Sequence, residues 1–262
     1  MSKRHYLQKA RQDFLHGIGI PSSEAEFVED DFQREAILSV VDSRDTLVVA
    51  PTGSGKTHIA TQAIKATLMQ KLRAIYTTPL KALSNTKYTQ FKRKFEPDFK
   101  VGLLTGDRKI EGDADVIVAT TEIYRNELYR SSERYSLVVL DEVHFIADPQ
   151  RGAVWEESII LTPSSATLLM LSASISNSGE IAEWLHMVRG KECKVVIKTE
   201  RPVELRYGFL HPELGALPLR DEHGNVFNEV SAYYGNMNLD RSGRRLRFER
   251  GRGRGRRGFR GR

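Results

Sequence analysis

Short runs of apolar residues recur between positions 46 and 198, and most are apolar throughout rather than alternating with polar residues. Strands that are buried on both faces have this pattern, which is typical of parallel sheets covered by helices. The runs are 46–50, 73–78, 101–105, 114–120, 136–142, 166–173 and 193–198. The pattern therefore predicts a mainly parallel sheet of buried strands.

Segments with helical periodicity separate these runs. In residues 57–71 and again in residues 84–96, small and apolar side chains recur on one helical face. These faces contain Ala60, Ala63, Ile64, Thr67 and Leu68 in the first segment, and Tyr88, Phe91 and Phe95 in the second. The alternation of strands and helices predicts an α/β doubly wound domain over residues 25–200, with helices on both faces of the sheet.

The chain outside this domain has a different composition. Residues 1–24 are expected to form an N-terminal extension. Residues 201–240 are expected to be a linker with a β-hairpin, because the glycine and asparagine within 221–225 suit a tight turn. Residues 241–262 are mostly arginine and glycine and cannot bury enough apolar surface to fold alone. We expect this arginine-glycine arm to be disordered.

The composition is that of an intracellular globular protein. With 262 residues, 40% of them apolar, the chain can bury a sizeable core. Its single cysteine, Cys193, excludes an intramolecular disulfide and favours a reducing setting. The N-terminus lacks the apolar stretch of a secretory signal, and the apolar runs are too short to span a membrane. We therefore expect a cytoplasmic location, with an organelle as the alternative, and no membrane partner.

The net charge of +6 is unevenly distributed. Residues 241–262 contain 11 arginines and one glutamate, a net charge of +10, so the preceding 240 residues carry −4. The protein is therefore basic because of its arm and not because of a face of the folded part. Arginines attract phosphates and stack on unpaired bases, so we expect the arm to contact RNA. A solvated linker is the alternative interpretation.

A phosphate-binding loop is the strongest chemical signal. Residues 50–57, Ala-Pro-Thr-Gly-Ser-Gly-Lys-Thr, follow a predicted buried strand and begin a predicted helix. Glycines allow backbone N–H groups to surround a phosphate, and the helix N-terminus adds positive potential. Lys56 is expected to contact the terminal phosphates of ATP, and Thr57 to ligate Mg²⁺. Ala50 stands where the strict pattern has glycine, and an ordinary glycine-rich turn is the alternative.

An acidic pair follows another predicted strand. Residues 141–144, Asp-Glu-Val-His, end the apolar run, and ligand sites of such sheets lie at the carboxyl ends of strands. Asp141 is expected to hold Mg²⁺, and Glu142 to orient and deprotonate the attacking water. Acidic residues are common in loops, but an ATP hydrolase needs both a phosphate loop and an acidic pair that binds the metal. Together they indicate an ATP hydrolase with Lys56, Asp141 and Glu142 as catalytic residues.

Further motifs extend this series in chain order. They are Phe-Gln-Arg-Glu-Ala-Ile (32–37), Thr-Thr-Pro-Leu-Lys-Ala-Leu-Ser-Asn (77–85), Thr-Gly-Asp (105–107), Thr-Thr-Glu-Ile-Tyr-Arg (120–125), Arg-Gly-Ala-Val-Trp-Glu-Glu (151–157) and Leu-Ser-Ala-Ser (171–174). With the phosphate loop and Asp-Glu-Val-His, the chain resembles a superfamily-two DExH-box helicase. Over residues 27–201 it is similar to the superkiller-type RNA helicases that feed RNA to exosome-like nucleases, and to their bacterial and plastid relatives.

The resemblance implies a role for each matching position. An aromatic ring and an amide would read adenine beside the phosphate loop, so the implied nucleotide-binding residues are Phe27, Gln33, Pro51, Thr52, Gly53, Ser54, Gly55, Lys56 and Thr57. A core position is the alternative for the aromatic ring. The residues implied to follow a nucleic-acid backbone are Pro79, Lys81, Thr105, Gly106, Thr121, Glu122 and Arg125. The residues implied to couple hydrolysis to strand movement are His144, Ser172, Ala173 and Ser174, the last standing where threonine is usual.

The resemblance also implies a RecA-like first domain, ATP and Mg²⁺ as cofactors, RNA as substrate, 3′-to-5′ movement and a possible nuclease partner. This family has a second RecA-like domain that supplies arginines to the γ-phosphate, and no segment here matches it. We therefore expect these 262 residues to bind ATP with little turnover and no unwinding. An ATP- and RNA-binding module without turnover and a DNA helicase of related build are the alternatives.

Overall fold

The computed structural model describes residues 3–17, 28–130, 134–201 and 206–235. The described residues form two compact units. The larger unit lies within residues 26–203, and the smaller one combines residues before 26 with residues after 203. Phe27 and the whole arginine-glycine arm lie outside the described residues.

Helices and strands alternate through the larger unit. The helices among the described residues are α1 (Lys3–Gly17), α2 (Asp31–Val41), α3 (Lys56–Met69), α4 (Lys81–Phe95), α5 (Thr121–Leu128), α6 (Gly152–Leu161), α7 (Ser178–Arg189) and α8 (Asn228–Gly235), with a 3₁₀ helix at Val143–Ala147. The strands are β1 (Asp45–Val49), β2 (Ala74–Thr78), β3 (Val101–Leu104), β4 (Lys109–Ile110), β5 (Val116–Thr120), β6 (Leu137–Leu140), β7 (Thr167–Ser172), β8 (Cys193–Ile197), β9 (Gly208–His211) and β10 (Gly215–Pro218). Each predicted apolar run overlaps one strand of the larger unit.

The larger unit contains one sheet with the strand order β4-β3-β5-β2-β6-β7-β1-β8. All neighbouring pairs are parallel except β3 and β4. The predicted α/β doubly wound, mainly parallel sheet is therefore confirmed. Because parallel strands end at the same edge, the segments after β1, β6 and β7 meet, and those after β2, β5 and β3 lie beside them.

Two hydrophobic cores cover the opposite faces of this sheet, since successive side chains of a strand point to opposite sides. On β1, Val48 belongs to one core and Leu47 and Val49 belong to the other. The first core contains Phe32, Ile64 and Phe91 from α2, α3 and α4, and the second contains Tyr124, Trp155 and Leu185 from α5, α6 and α7. This arrangement explains why the buried strands are apolar on both faces.

The antiparallel edge strand β4 has no counterpart in the apolar pattern. It consists of only two residues, Lys109 and Ile110, and its burial is partial. It approaches β3 closely, because a Cβ atom added to Gly102 would lie 2.3 Å from the carbonyl oxygen of Glu111. A strand this short leaves no periodic signal in the sequence.

A buried ion pair joins β1 to the end of α7. Arg189 Nε donates a hydrogen bond of 2.6 Å to Asp45 Oδ2, and both side chains are fully buried. The guanidinium also donates to the carbonyl oxygens of Thr162 and Ala166, at 2.5 and 2.9 Å. The second carboxylate oxygen accepts the backbone N–H of Leu168 at 2.8 Å. These partners satisfy both charged groups, as burial requires.

The smaller unit consists of α1, the antiparallel pair β9–β10 and α8. Its buried apolar residues include Phe14, Leu217, Phe227 and Val230. Gly208 is placed so close to α1 that a Cβ atom there would lie 2.6 Å from Phe14 Cζ. Helix α1 therefore packs against residues about 200 positions later in the chain. Local sequence patterns do not reveal such a contact.

A tight turn follows β10. Asp221 Oδ1 accepts the backbone N–H groups of His223 and Asn225, at 2.9 and 2.8 Å. Arg220 and Val226 pair as an antiparallel bridge across this turn. Within the described ranges, no helix is both long enough and apolar enough to cross a membrane.

Candidate nucleotide and nucleic-acid site

The phosphate loop connects β1 to α3 and depends on its glycines. Gly53 and Gly55 have φ angles of 89° and 84°, a region that side chains other than glycine rarely occupy. A Cβ atom on Gly55 would also lie 2.3 Å from Gln33 Nε2. Gly55 is the N-cap of α3, so the loop leads directly to the N–H groups that a helix start leaves without helical partners. This arrangement suits a phosphate.

Gln33 supports the loop from α2. Its buried amide donates from Nε2 to the carbonyl oxygen of Ser54 at 2.8 Å. Its Oε1 accepts the backbone N–H of Asp30 at 3.0 Å, which also caps α2. Gln33 thus ties the start of α2 to the loop, and adenine recognition by this amide and by Phe27 stays a prediction.

Lys56 is held inside the loop. Its Nζ donates to the carbonyl oxygens of Ala50 and Pro51, at 2.6 and 3.0 Å. Burial lowers the pKa of Lys56, and the carboxylates of Glu142 and Asp141 oppose that shift. A partly desolvated ammonium held by two neutral carbonyl groups can exchange them for a charged phosphate, which forms stronger hydrogen bonds. Thr52 and Gly53 are exposed beside it in the same loop.

Asp141 is fixed at the end of β6 by three hydrogen bonds. Its backbone N–H donates to Thr77 on β2, and its Oδ1 accepts the N–H of Glu142 at 3.0 Å. Its Oδ2 accepts the hydroxyl of Tyr76 at 2.5 Å. Burial raises the pKa of Tyr76 well above its ordinary value, and the charge of Asp141 adds to the shift. Tyr76 therefore stays protonated and orients the carboxylate.

Thr57 receives a hydrogen bond from a residue that the sequence does not associate with this site. Lys87 Nζ on α4 donates to Thr57 Oγ1 at 2.7 Å and lies 5.6 Å from the centre of the Tyr76 ring. Burial lowers the pKa of Lys87, and the nearby carboxylates of Asp141 and Glu142 oppose that shift. Since 30 residues separate the two partners, no local motif predicts the contact.

Glu142 occupies a strained position at the start of the 3₁₀ helix. Its φ is 54° and its ψ is 43°, a left-handed conformation that is uncommon for residues other than glycine. Its Oε2 is buried and accepts no hydrogen bond from the described residues. His144 Nδ1 is 3.4 Å away, longer than a good hydrogen bond, and the His144 ring stacks on Phe145. Glu142 therefore keeps acceptor capacity for a water molecule.

The oxygen-rich side chains at this edge fit a magnesium nucleotide. Mg²⁺ prefers oxygen ligands, and the Thr57 hydroxyl and the Asp141 carboxylate supply them. A Cβ built on Gly53 would meet no atom within 4 Å, so the loop is open on that side. Together with Lys56 and the unused Oε2 of Glu142, these groups match the donors and charges that a metal-bound phosphate needs.

The segment predicted to couple hydrolysis to movement contacts the loop directly. The backbone N–H of Ala50 donates to the carbonyl oxygen of Ser172 at 3.0 Å. The Ser172 hydroxyl is buried and lies 3.3 Å from both the backbone nitrogen and the carbonyl oxygen of Ser174. Ala173 lies between them, and β7 itself runs between β6 and β1. The segment thus borders both the loop and the acidic pair.

Two of the predicted nucleic-acid segments meet at Asp107. Lys81 Nζ lies 3.2 Å from Asp107 Oδ1, and the Thr105 hydroxyl donates to the same oxygen at 3.0 Å. These hydrogen bonds, with that from Lys81 the largest contribution, lower the pKa of Asp107. A Cβ atom on Gly106 would lie 3.6 Å from Lys81 Nζ. The segments after β2 and β3 therefore form one continuous surface.

The segment after β5 contains one buried and two more exposed candidates. Thr121 is fully buried and donates from Oγ1 to the carbonyl oxygen of Thr78 at 3.2 Å. Its side chain therefore aligns the ends of β5 and β2 and exposes no hydroxyl. Arg125 forms an ion pair of 2.6 Å with Glu157 and lowers the pKa of that carboxyl.

Arg151 links the nucleic-acid candidates to the segment after Glu142. Its Nη2 donates to the carbonyl oxygen of Pro79 at 2.5 Å and to Glu122 Oε1 at 2.6 Å. Its guanidinium lies 5.5 Å from the Phe145 ring centre and 5.6 Å from that of Trp155. Arg151 belongs to a motif noted in the sequence, but only its tertiary contacts indicate this role.

The comparisons with known proteins agree with this geometry. The DEAD/DEAH box helicase family matches residues 30–181. The chain is 44% identical over 219 residues to the chloroplastic DExH-box ATP-dependent RNA helicase DExH15 of Arabidopsis thaliana, covering 80% of this chain and 18% of that protein. It is 42% identical over 204 residues to the human exosome RNA helicase MTR4, covering 76% and 19%. It is 45% identical over 187 residues to the probable helicase HelY of Mycobacterium leprae, covering 70% and 20%.

A solved structure supports the same fold. The DUF1998 helicase MrfA bound to DNA superposes with a TM-score of 0.57 at 20% sequence identity, covering 68% of this chain and 28% of that one. The chain thus spans about a fifth of the length of its curated relatives. The match over residues 30–181 contains the phosphate loop, Asp141 to His144 and Ser172 to Ser174. This chain belongs to the DEAD/DEAH box helicase family.

Proposed function

We propose that this chain is the ATP-binding part of an RNA helicase that couples ATP hydrolysis to movement along a strand. One observation carries the proposal. The phosphate loop, the acidic pair and Ser172 to Ser174 follow three adjacent strands, and the candidate nucleic-acid segments follow the next three strands along the same edge. A site for ATP and a track for nucleic acid would then share one rigid sheet.

The side chains at the ATP site have distinct roles in this proposal. Lys56 would exchange the loop carbonyl groups for the terminal phosphates, and Thr57 and Asp141 would hold Mg²⁺. When bound, the metal neutralises phosphate charge and favours attack at the γ-phosphorus. Glu142 accepts a hydrogen bond from the attacking water through its unused Oε2, orients that water and takes its proton. Tyr76 keeps the Asp141 carboxylate in place.

Coupling between the ATP site and the candidate nucleic-acid track would depend on contacts between the segments that follow the β-strands. Ser172 bonds the loop, and His144 lies 3.4 Å from Glu142. Arg151 reaches from the aromatic rings beside His144 to Pro79 and Glu122 on the candidate track. A shift of the segment after Glu142 during hydrolysis would therefore move Arg151 and, with it, Pro79 and Glu122 of the candidate nucleic-acid track.

RNA is the proposed substrate, and a DNA strand is the second candidate. Two relatives are named as RNA helicases, whereas the solved structure of similar fold is a helicase bound to DNA. Backbone-following contacts discriminate little between sequences, but the 2′-hydroxyl distinguishes the two nucleic acids. Competition between matched RNA and DNA strands for the protein decides between them, and tighter DNA binding would contradict the RNA proposal.

Complete activity would require a second RecA-like domain and partner proteins. A second RecA-like domain would place arginines against the γ-phosphate, a contribution worth roughly 10³- to 10⁵-fold in rate. A nuclease assembly is a further proposed partner, because one relative is named an exosome RNA helicase. Co-purification of a nuclease with the tagged protein tests that association.

Glu142→Gln should abolish hydrolysis while nucleotide binding persists. The amide keeps the size of the side chain but cannot accept the proton of the attacking water, so turnover should fall at least about 100-fold. The measurement is RNA-stimulated ATP hydrolysis by protein that also contains a second RecA-like domain. Glu156→Gln on α6 is the matched control, because Glu156 is exposed on the surface. Equal turnover in the Glu142 variant and the wild type would refute the role.

Deletion of residues 241–262 should weaken RNA binding and flatten its salt dependence. Each neutralised phosphate of a single strand contributes a slope of about −0.7 to the plot of log affinity against log salt. The 11 arginines of the arm should therefore dominate the slope. The measurement is RNA affinity across a salt series, and a chain of full length with serine at those 11 positions should behave like the deletion. A slope that the deletion leaves unchanged would assign RNA binding to the folded part.

A further inference from the structure

The ammonium group of Lys87 lies among the groups expected to hold the metal. Its Nζ donates a hydrogen bond of 2.7 Å to Thr57 Oγ1. It also lies 5.6 Å from the centre of the Tyr76 ring, whose hydroxyl donates to Asp141 Oδ2. Helix α4 therefore places a positive charge beside both expected metal ligands, Thr57 directly and Asp141 through Tyr76.

The charges around Lys87 balance as the structure stands. The carboxylates of Asp141 and Glu142 interact electrostatically with Lys87 and with Lys56. The formal charges of these two lysines and two carboxylates cancel. A divalent cation at Thr57 would add two positive charges beside the Lys87 ammonium, which the phosphates that arrive with it would have to offset.

The Thr57 hydroxyl oxygen accepts the hydrogen bond from Lys87 and is also the atom expected to bind Mg²⁺. Mg²⁺ binds oxygen at about 2.1 Å. An ammonium 2.7 Å from the same oxygen would then lie within about 5 Å of the metal, where three positive charges repel strongly in a partly buried site. The metal and Lys87 therefore repel each other across the Thr57 hydroxyl, so binding of the metal favours a position of the ammonium away from that oxygen.

We propose that Lys87 is a positioning residue that competes with Mg²⁺ for the Thr57 hydroxyl and leaves it when the metal binds. The inference rests on the proposed nucleotide site and adds a residue that sets its metal requirement. Lys87 holds Thr57 and balances the carboxylates before the metal binds. The energy needed to displace Lys87 raises the Mg²⁺ concentration at which nucleotide is bound.

Titration of Mg²⁺ into the 262-residue chain with a fluorescent ATP analogue tests this inference. Lys87→Met removes the charge but keeps a long side chain over Tyr76, so the half-saturating Mg²⁺ concentration should fall about tenfold. Lys87→Arg keeps the charge and should stay within about twofold of wild type. Lys92→Met is the matched control, because Lys92 lies on the same helix but packs over Tyr88.

The outcomes separate this inference from the proposed function. An unchanged half-saturating Mg²⁺ concentration in Lys87→Met would overturn the inference, since the contact would then have no influence on the metal. A raised concentration, or weaker nucleotide binding at saturating Mg²⁺, would also overturn it by making Lys87 a ligand of the loaded site. If nucleotide binding by the wild-type protein does not depend on the metal, that result would overturn the proposed function itself, and the inference with it. If Lys87→Met does not fold, Lys87→Gln replaces it in the same titration.

Discussion

Lys56→Ala should weaken binding of the magnesium–ATP complex by roughly 10- to 100-fold, the value of one hydrogen bond to a charged group. The wild-type ammonium is already partly desolvated and held by Ala50 and Pro51, so it reaches a phosphate with less further loss of hydration than an exposed lysine would. Alanine removes the only charge that the loop itself provides. Calorimetric titration of the chain with ATP and Mg²⁺ measures the loss.

The matched control for this prediction is Lys65→Ala. Lys65 lies on the same helix, α3, but its side chain is exposed. This control removes the same net charge without touching the loop, so nucleotide affinity should stay close to wild type. Equal affinities in wild type and Lys56→Ala would refute the phosphate-binding role, provided that both proteins unfold at similar temperatures.

Arg189→Met should destabilise the larger unit by about 3–5 kcal/mol, because it removes the hydrogen-bonded partner of the buried Asp45 carboxylate and leaves it with the more distant Lys191 ammonium, 3.8 Å away. The substitution also removes the arginine hydrogen bonds to the carbonyl oxygens of Thr162 and Ala166, and of these two only Ala166 has a further described donor, Lys191 at 3.2 Å. A loss of this size is a large fraction of the total stability of a typical domain. Urea unfolding followed by tryptophan fluorescence measures it, since Trp155 and Trp184 both belong to the larger unit.

The control is an arginine–aspartate pair that is exposed to solvent rather than buried. Arg44 Nη2 lies 2.9 Å from Asp42 Oδ2, but both side chains are largely exposed to solvent. Arg44→Ala should therefore change the free energy of unfolding by no more than about 1 kcal/mol. A loss below about 1 kcal/mol for Arg189→Met as well would show that the buried carboxylate finds another partner or takes up a proton.

Much of the fold and site is predictable from contiguous segments. A run of residues that is apolar throughout indicates a strand buried on both faces. Residues 50–57 contain the glycines, the lysine and the threonine of the phosphate loop in one stretch. Asp141 and Glu142 are recognisable because they end such a strand. The sequence does not indicate that Thr121 is buried or that Gln33 bonds Ser54, because both facts depend on neighbours from other elements.

The amino-acid sequence by itself determined seven strands of the sheet, the helices α3 and α4, and the chemistry of the phosphate loop and acidic pair, because those signals lie within a few consecutive residues. Only the tertiary structure decided which separate segments meet. The strand order, with helices on both faces of the sheet, brings Lys87 to Thr57, Tyr76 to Asp141 and Arg151 to Glu122 across 29 to 65 residues. No local pattern encodes those contacts, since each depends on how the whole sheet is assembled.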